Sequence, residues 1–184
     1  SGNTEVNKGQ TDLGLFSQIF TNPNAAATSK DYKVYSVQLS FKDTDSAAPI
    51  NANTIFTNLE FWSGGIMYGE VTSVPALPDV TITLNLDNFL VNAGAQQTAD
   101  IIGDVLSNAT ALGFQCRIVD SGYFSIKETQ SNIDIIANDK DGVNTYPFQT
   151  TGVNITGLPP CDTLGIKHVN TAAGYTPASV DQTG

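Results

Sequence analysis

The stretch TADIIGDVLSNATALGFQCRIVDSGYFSIK, residues 98–127, decides how this chain is read. Ala99, Ile102, Leu106 and Ala109 fall at i, i+3, i+7 and i+10, the apolar stripe of a helix packed on a sheet. Thr98 stands where a helix cap is wanted, and Asp100 lies in the first turn, where a carboxylate favours the helix dipole. Gly113 offers the left-handed residue that ends such a helix. Phe114, Cys116 and Ile118 then alternate on a strand, Asp120-Ser121-Gly122 offers hairpin chemistry, and Phe124 and Ile126 alternate on the return. The stretch predicts a helix over about residues 98–112 laid across an antiparallel hairpin.

Outward from this unit the chain reads as strands. IDII, residues 133–136, is a third short strand beside the hairpin. VTITLNL, residues 80–86, places Val80, Ile82, Leu84 and Leu86 on one face. IFTNLEFW (residues 55–62) and IMYGEV (residues 66–71) pair across the tight turn Ser63-Gly64-Gly65. Tyr35, Val37, Leu39 and Phe41 alternate with Ser36, Gln38 and Ser40, the pattern of a half-buried strand, and residues 42–49 form a turn region. The first 30 residues read as an arm, because TDLGLFSQIF sets Leu13, Phe16 and Phe20 at helical spacing behind a Thr11 or Asp12 cap. So short a helix is unstable alone, which predicts that it docks on the body or on a neighbouring subunit. The expected fold class is α+β and mostly β: antiparallel sheets, one packed helix at about 98–112, and a short N-terminal helix. Residues 31–170 form its single domain, residues 80–166 hold the helix-plus-hairpin module, and residues 171–184 are a polar tail.

Composition narrows the function. Charged residues are only 14% of the 184, and Thr, Asn, Ser, Gln and Gly take their place. Uncharged hydrogen-bonding groups suit surfaces that lie against a neighbour, because burying them costs less than burying charge. The net charge is −10, with Arg117 the one arginine, so no basic footprint for phosphate exists and nucleic acid is not an expected partner. An anionic membrane surface is disfavoured on the same ground. No apolar run approaches the roughly 18 residues of a membrane span, and SGNTEVNKGQ lacks the pattern of a signal peptide.

Residues able to carry chemistry are few. NDKDG, residues 138–142, resembles part of a calcium loop, but placing Gly142 at the sixth position puts Ala137 at the first and Phe148 at the twelfth. Both ligand positions are then empty, and the segment reads as a polar turn. Cys116, Cys161 and His168 lack the short pair spacing of a zinc site. Cys116 reads as a buried thiol, with a disulfide to Cys161 as the alternative. His168 has no motif around it that would make it a general base. Asp43 with Asp45, and Asp139 with Asp141, read as turn residues. Trp62, Tyr68, Tyr123 and Tyr146 offer either core aromatics or a sugar-stacking platform, and Asn108 and Asn154 each begin a glycosylation sequon. The sequence thus predicts no catalytic residue, no cofactor and no metal site, and the chain is not expected to be an enzyme.

VTITLNLDNFLV, the stretch TADIIGDVLSNATALGF, then QCRIVDSGYFSIKETQSNIDII and a late LGI together resemble the small α+β module of flagellin insertions and hook-associated proteins. Similar units recur in bacteriophage tail and virion surface proteins. The resemblance covers about residues 80–166; residues 1–79 have no counterpart in it, and neither end carries the heptads of a flagellar filament. It implies a repeated structural subunit: a virion protein, of a bacteriophage, that decorates a capsid or builds a fibre or tail by contacts with itself and other virion proteins. The alternative is a cell-surface or appendage-associated binding module that recognises carbohydrate. Leu13, Phe16, Ile19 and Phe20 are the expected inter-subunit anchor, since aromatic and aliphatic clusters dominate interface energies.

Overall fold

The structure, a computed structural model, describes residues 4–26, 30–76, 81–138 and 146–157. Their strands are β1 (Thr4–Asn7), β2 (Leu13–Thr21), β3 (Tyr32–Lys42), β4 (Phe56–Ser63), β5 (Ile66–Val71), β6 (Thr81–Val91), β7 (Gln96–Val105), β8 (Gly113–Ile118), β9 (Phe124–Glu128), β10 (Phe148–Gln149) and β11 (Val153–Thr156). They form two sheets. The larger runs β1-β11-β8-β3-β6, with β9 on β3 and β10 on β8; the smaller runs β2-β7-β4-β5. Only β1 with β11 is parallel, and every other named pair is antiparallel. From β1 to β8 the chain changes sheet at each connection except β4 to β5. The result is a β-sandwich, because strands that bury alternate residues must close one face against another sheet.

Two aromatic clusters fill the space between the sheets. At one end the Phe41, Phe56 and Phe114 rings meet with centroids 5.2–6.2 Å apart. At the other end Phe89 takes Phe20, Phe61 and Tyr68 edge-on at 5.0–5.4 Å, and Phe124 reaches Phe20 at 5.9 Å. Val37, Leu39, Leu59 and Leu84, all fully buried, join the two. The expected β character and antiparallel pairing are present. The Ser63-Gly64-Gly65 turn is the hairpin the sequence indicates: Gly64 and Gly65 sit at φ 57° and 78°, the pair of positive angles a type I′ turn requires.

The packed helix is not there. Residues 96–105 are β7, with Ala99, Ile101, Gly103 and Val105 buried and every second neighbour turned outward. Ile101, Ile102 and Val105 are β-branched and stiff, which suits a strand, and β7 lies between β2 and β4 with pairing on both sides. Ala99 satisfies a period of two as well as a period of 3.6, and residues held from both edges take the sheet. Gly113 opens β8 and terminates no helix. A Cβ there would lie 2.4 Å from Thr44 Oγ1 and 2.9 Å from the Val153 carbonyl oxygen, so its smallness admits a close approach.

The expected hairpin also differs. β8 and β9 do not pair with each other; both run antiparallel to β3, end to end, β8 beside Ser40, Phe41 and Lys42 and β9 beside Tyr32 to Val37. Between them Asp120 accepts a hydrogen bond from the Gly122 N–H at 2.8 Å and starts a single 3₁₀ turn, Ser121–Tyr123. Neither Ser121 nor Gly122 has a positive φ, so nothing reverses the chain. Tyr35 is 40% exposed, because a bulge between Val34 and Ser36 turns Val34 inward in its place.

The N-terminal helix is likewise a strand. β2 carries a bulge between Gly14 and Phe16, which shifts the alternation and produces the 13, 16, 20 spacing without a helix. The residues read as an arm supply one strand to each sheet, β1 on β11 and β2 on β7. Residues 133–135 lie against the outer edge of β9, where the Ile135 N–H donates to the Ile126 carbonyl at 2.9 Å.

Candidate functional site: the open edge of β2

β2 ends the four-stranded sheet, with β7 on one side and no strand on the other among the described residues. Three other edge strands among the described residues are guarded. β5 lies so close to β6 that a Cβ on Gly69 would stand 2.4 Å from the Asn85 carbonyl oxygen. β6 is covered by the same approach, and β1 is four residues long with a glutamate in it. β2 is nine residues, LGLFSQIFT, without a charge or a proline. Proteins usually blunt a long edge with lysine, proline or a covering loop, because its unpaired backbone groups are a template for another strand.

Beside this edge lies a groove of about 550 Å³, in the usual range of a binding cleft. Gln18, Ile19, Phe20 and Thr21 of β2 form one wall; Ile135, Ile136, Ala137, Tyr146 and Phe148 form the other; Val34, Val91, Phe124 and Ile126 line the base. None of its lining residues carries a formal charge. Ile19 is 65% exposed and Ile136 69%, facing solvent from opposite walls.

Each wall is held by hydrogen bonds. Asn22, buried at the end of β2, donates from Nδ2 to the Lys30 carbonyl at 2.8 Å and the Val91 carbonyl at 3.0 Å, and accepts from the Asn24 N–H at 3.1 Å. It ties the end of β2 to the segment that leads into β3 and to the end of β6. Across the groove the Tyr146 hydroxyl donates to the Ala137 carbonyl at 3.1 Å, and the Tyr146 and Phe148 rings lie 4.4 Å apart. Glu128 folds the turn that presents Ile135 and Ile136. Its carboxylate accepts from the Ser131 hydroxyl, the Gln130 N–H and the Ser131 N–H. The Ser131 hydroxyl, then the Gln130 and Ser131 amides and nearby Lys30, hold its pKa below the ordinary glutamate value against the opposing effect of burial.

The polar groups that line the groove are backbone amides, the Thr21, Tyr32 and Tyr146 hydroxyls and the Gln18 and Asn138 side chains. Comparison with known proteins adds no relative: no family model matches the chain, and no curated protein matches it. No helix among the described residues is long and apolar enough to cross a membrane.

Of the four expected anchors, only Ile19 and Phe20 reach the groove. Leu13 is buried and Phe16 half-buried against the core, and Phe20 spends its ring on Phe61, Phe89 and Phe124. Cys116 is a free, fully buried thiol whose pKa is pushed up by desolvation, which makes it inert. Asp43 caps the 43–48 turn by accepting from the Ser46 and Asp45 amides and the Ser46 hydroxyl, which lower its pKa. The four aromatics considered for a sugar platform are dispersed: Trp62 donates to Glu60 Oε2 at 2.6 Å, Tyr68 packs on Phe89, Tyr123 lies in the 3₁₀ turn, and Tyr146 is in the groove. Residues 139–142 of NDKDG, Cys161, His168 and the 164–166 segment lie outside the described residues. Among the described residues no three metal-binding side chains come together. Sequence reasoning missed Gln18, Ile136 and Asn22; the available signal for Gln18 was a nine-residue run, LGLFSQIFT, with no charge in it.

Proposed function

We propose that this chain is a structural subunit of a virion, of a bacteriophage, and works through protein–protein contacts repeated over many copies. The observation that carries the reading is the open β2 edge with its uncharged groove, a surface built to receive another chain and offering no reacting group. Two further features support it. The chain is poor in charge and rich in Thr, Asn, Ser and Gln, as surfaces buried among neighbours are. The β-sandwich gives a rigid body on which an edge can be presented.

The test is the copy number of the protein in purified particles from its source, by quantitative mass spectrometry. A stoichiometry that matches capsid or tail symmetry is the expected result. Absence from particles overturns the reading and passes the lead to a surface-exposed binding module, for which a glycan screen is the next measurement.

A further inference from the structure

We propose that β2 of a second copy of this chain pairs antiparallel with the edge of β2 that no described strand covers, and closes the groove beside it. The inference deepens the assembly reading and rests on it for its biological meaning. An antiparallel pair about a two-fold axis joins four strands from each copy into one continuous sheet, within the size that open twisted sheets tolerate. The axis stands perpendicular to the sheet, so Phe16, Gln18 and Phe20 of both copies face the same side, toward the two sandwich interiors. Each β2 then supplies main-chain hydrogen bonds to the other, the way extended segments add to an exposed edge.

Charge argues for a second copy as the occupant. Two chains of net charge −10 repel, and like charges brought together cost several kcal/mol. The groove and the nine residues of β2 form a surface free of formal charge, where two such chains meet without setting carboxylate against carboxylate. An oppositely charged partner would find nothing there to pair with. The occupant must also be extended, uncharged and apolar on alternate residues, and β2 meets those requirements.

The experiment is sedimentation velocity of the full chain across the micromolar range, with three variants. Gln18 is half-buried in the groove, and Gln18→Lys places an ammonium there that reaches water while the groove is open and is trapped when a second β2 closes it. Lysine also lowers the net negative charge, so a loss of association cannot come from long-range repulsion. Wild type is expected to sediment as a dimer, Gln18→Lys as a folded monomer with an association constant lower by on the order of 100-fold. Ile66→Lys, at the exposed tip of the β4–β5 hairpin, is expected to remain a dimer. Should Gln18→Lys fail to fold, Ile19→Lys at the exposed neighbour reads the same edge. If neither folds, amide exchange of wild-type β2 decides: a pair protects every amide of the strand and loses half on dilution.

A monomeric wild type, a folded Gln18→Lys dimer, or equal loss with Ile66→Lys overturns the proposal. So does a trimer or larger ring. A monomer whose β2 amides become protected only inside particles gives the edge to a different protein and equally overturns a second copy. The two readings fail separately: a Gln18-sensitive dimer absent from particles sinks only the virion role, and normal copy number of Gln18→Lys in particles sinks only the pairing.

Discussion

Asn22 shows what a single polar side chain does where two strands end. Its amide donates to the Lys30 and Val91 carbonyls and accepts from Asn24, with 1% of its surface exposed. Asn22→Ala leaves the Val91 carbonyl without its side-chain donor and the Lys30 carbonyl with only the longer bond from Asn24 Nδ2 at 3.4 Å, and a buried polar group left unpaired costs about 1–3 kcal/mol. The expected loss in urea unfolding is about 2–3 kcal/mol; a loss under half a kcal/mol would mean that water replaces the amide. Glu128 gives a pH-dependent counterpart. Its folded pKa is lowered, so its stabilisation is fully present above the ordinary value of 4.5 and is lost as pH falls through the lower folded value. Melting temperatures of wild type and Glu128→Gln should differ at pH 7 and converge as the solution becomes acidic. Asp43, lowered in the same direction, is common to both proteins and cancels from the difference. A gap that stays constant down to acid would show that Glu128 acts through shape rather than charge. Gly103 is a third case: a Cβ would sit 2.9 Å from both Leu59 Cδ2 and Phe56 Cδ1, so Gly103→Ala should cost about 1–3 kcal/mol by overpacking.

At the scale of elements, β2 and β7 explain which parts of the fold were legible. β6 and the β4–β5 hairpin were readable because their signals are local: alternation over Ile82, Leu84 and Leu86, and two glycines able to take positive φ. β7 was not, because Ala99, Ile102, Leu106 and Ala109 fit a helix while Ala99, Ile101, Gly103 and Val105 fit a strand. What decides between them is hydrogen bonding to β2 and β4, from residues some 40 to 90 positions earlier, which no local window contains. The β8–β9 hairpin failed for the same reason, since the partner of both strands is β3. Of the site, the sequence marked Ile19 and Phe20; the opposite wall is set by the turn at Glu128 and by tertiary packing. The strand assignment of β2 makes a sharp contrast between neighbours. Phe20 touches three aromatic rings, so Phe20→Ala should cost about 3 kcal/mol, the low end for a core phenylalanine because the ring is partly exposed. Ile19→Ser, one residue away on the outer face, should leave monomer stability within about 0.5 kcal/mol. Comparable losses at both positions would contradict the alternation of β2.

At the scale of the whole molecule, the N-terminal residues are part of the sandwich and not an attachment to it. β1 ends the larger sheet on β11, with Val6 buried, and β2 ends the smaller sheet on β7. Hydrogen bonds beyond the ladders tie the same segment in: the Gly9 N–H donates to the Leu106 carbonyl, and the Val105 N–H to the Gln10 carbonyl at 2.8 Å. A detachable anchor would come away and leave the body folded. A strand shared with each sheet would not, because its removal strips one edge of β7, uncovers Phe61 and Phe89, and leaves β11 with a bare edge. Deleting residues 1–25 should therefore abolish cooperative unfolding, measured by near-ultraviolet dichroism against temperature, and yield an aggregating chain. A truncated protein that melts cooperatively near the wild-type temperature would restore the arm. This outcome bears on assembly too, since the groove and the core draw on the same strand: Phe20 closes the interior while Gln18 and Ile19 line the opening. Under the proposed pairing, Ile19 and Ile136 are the exposed groove residues that can change without cutting into the sandwich core.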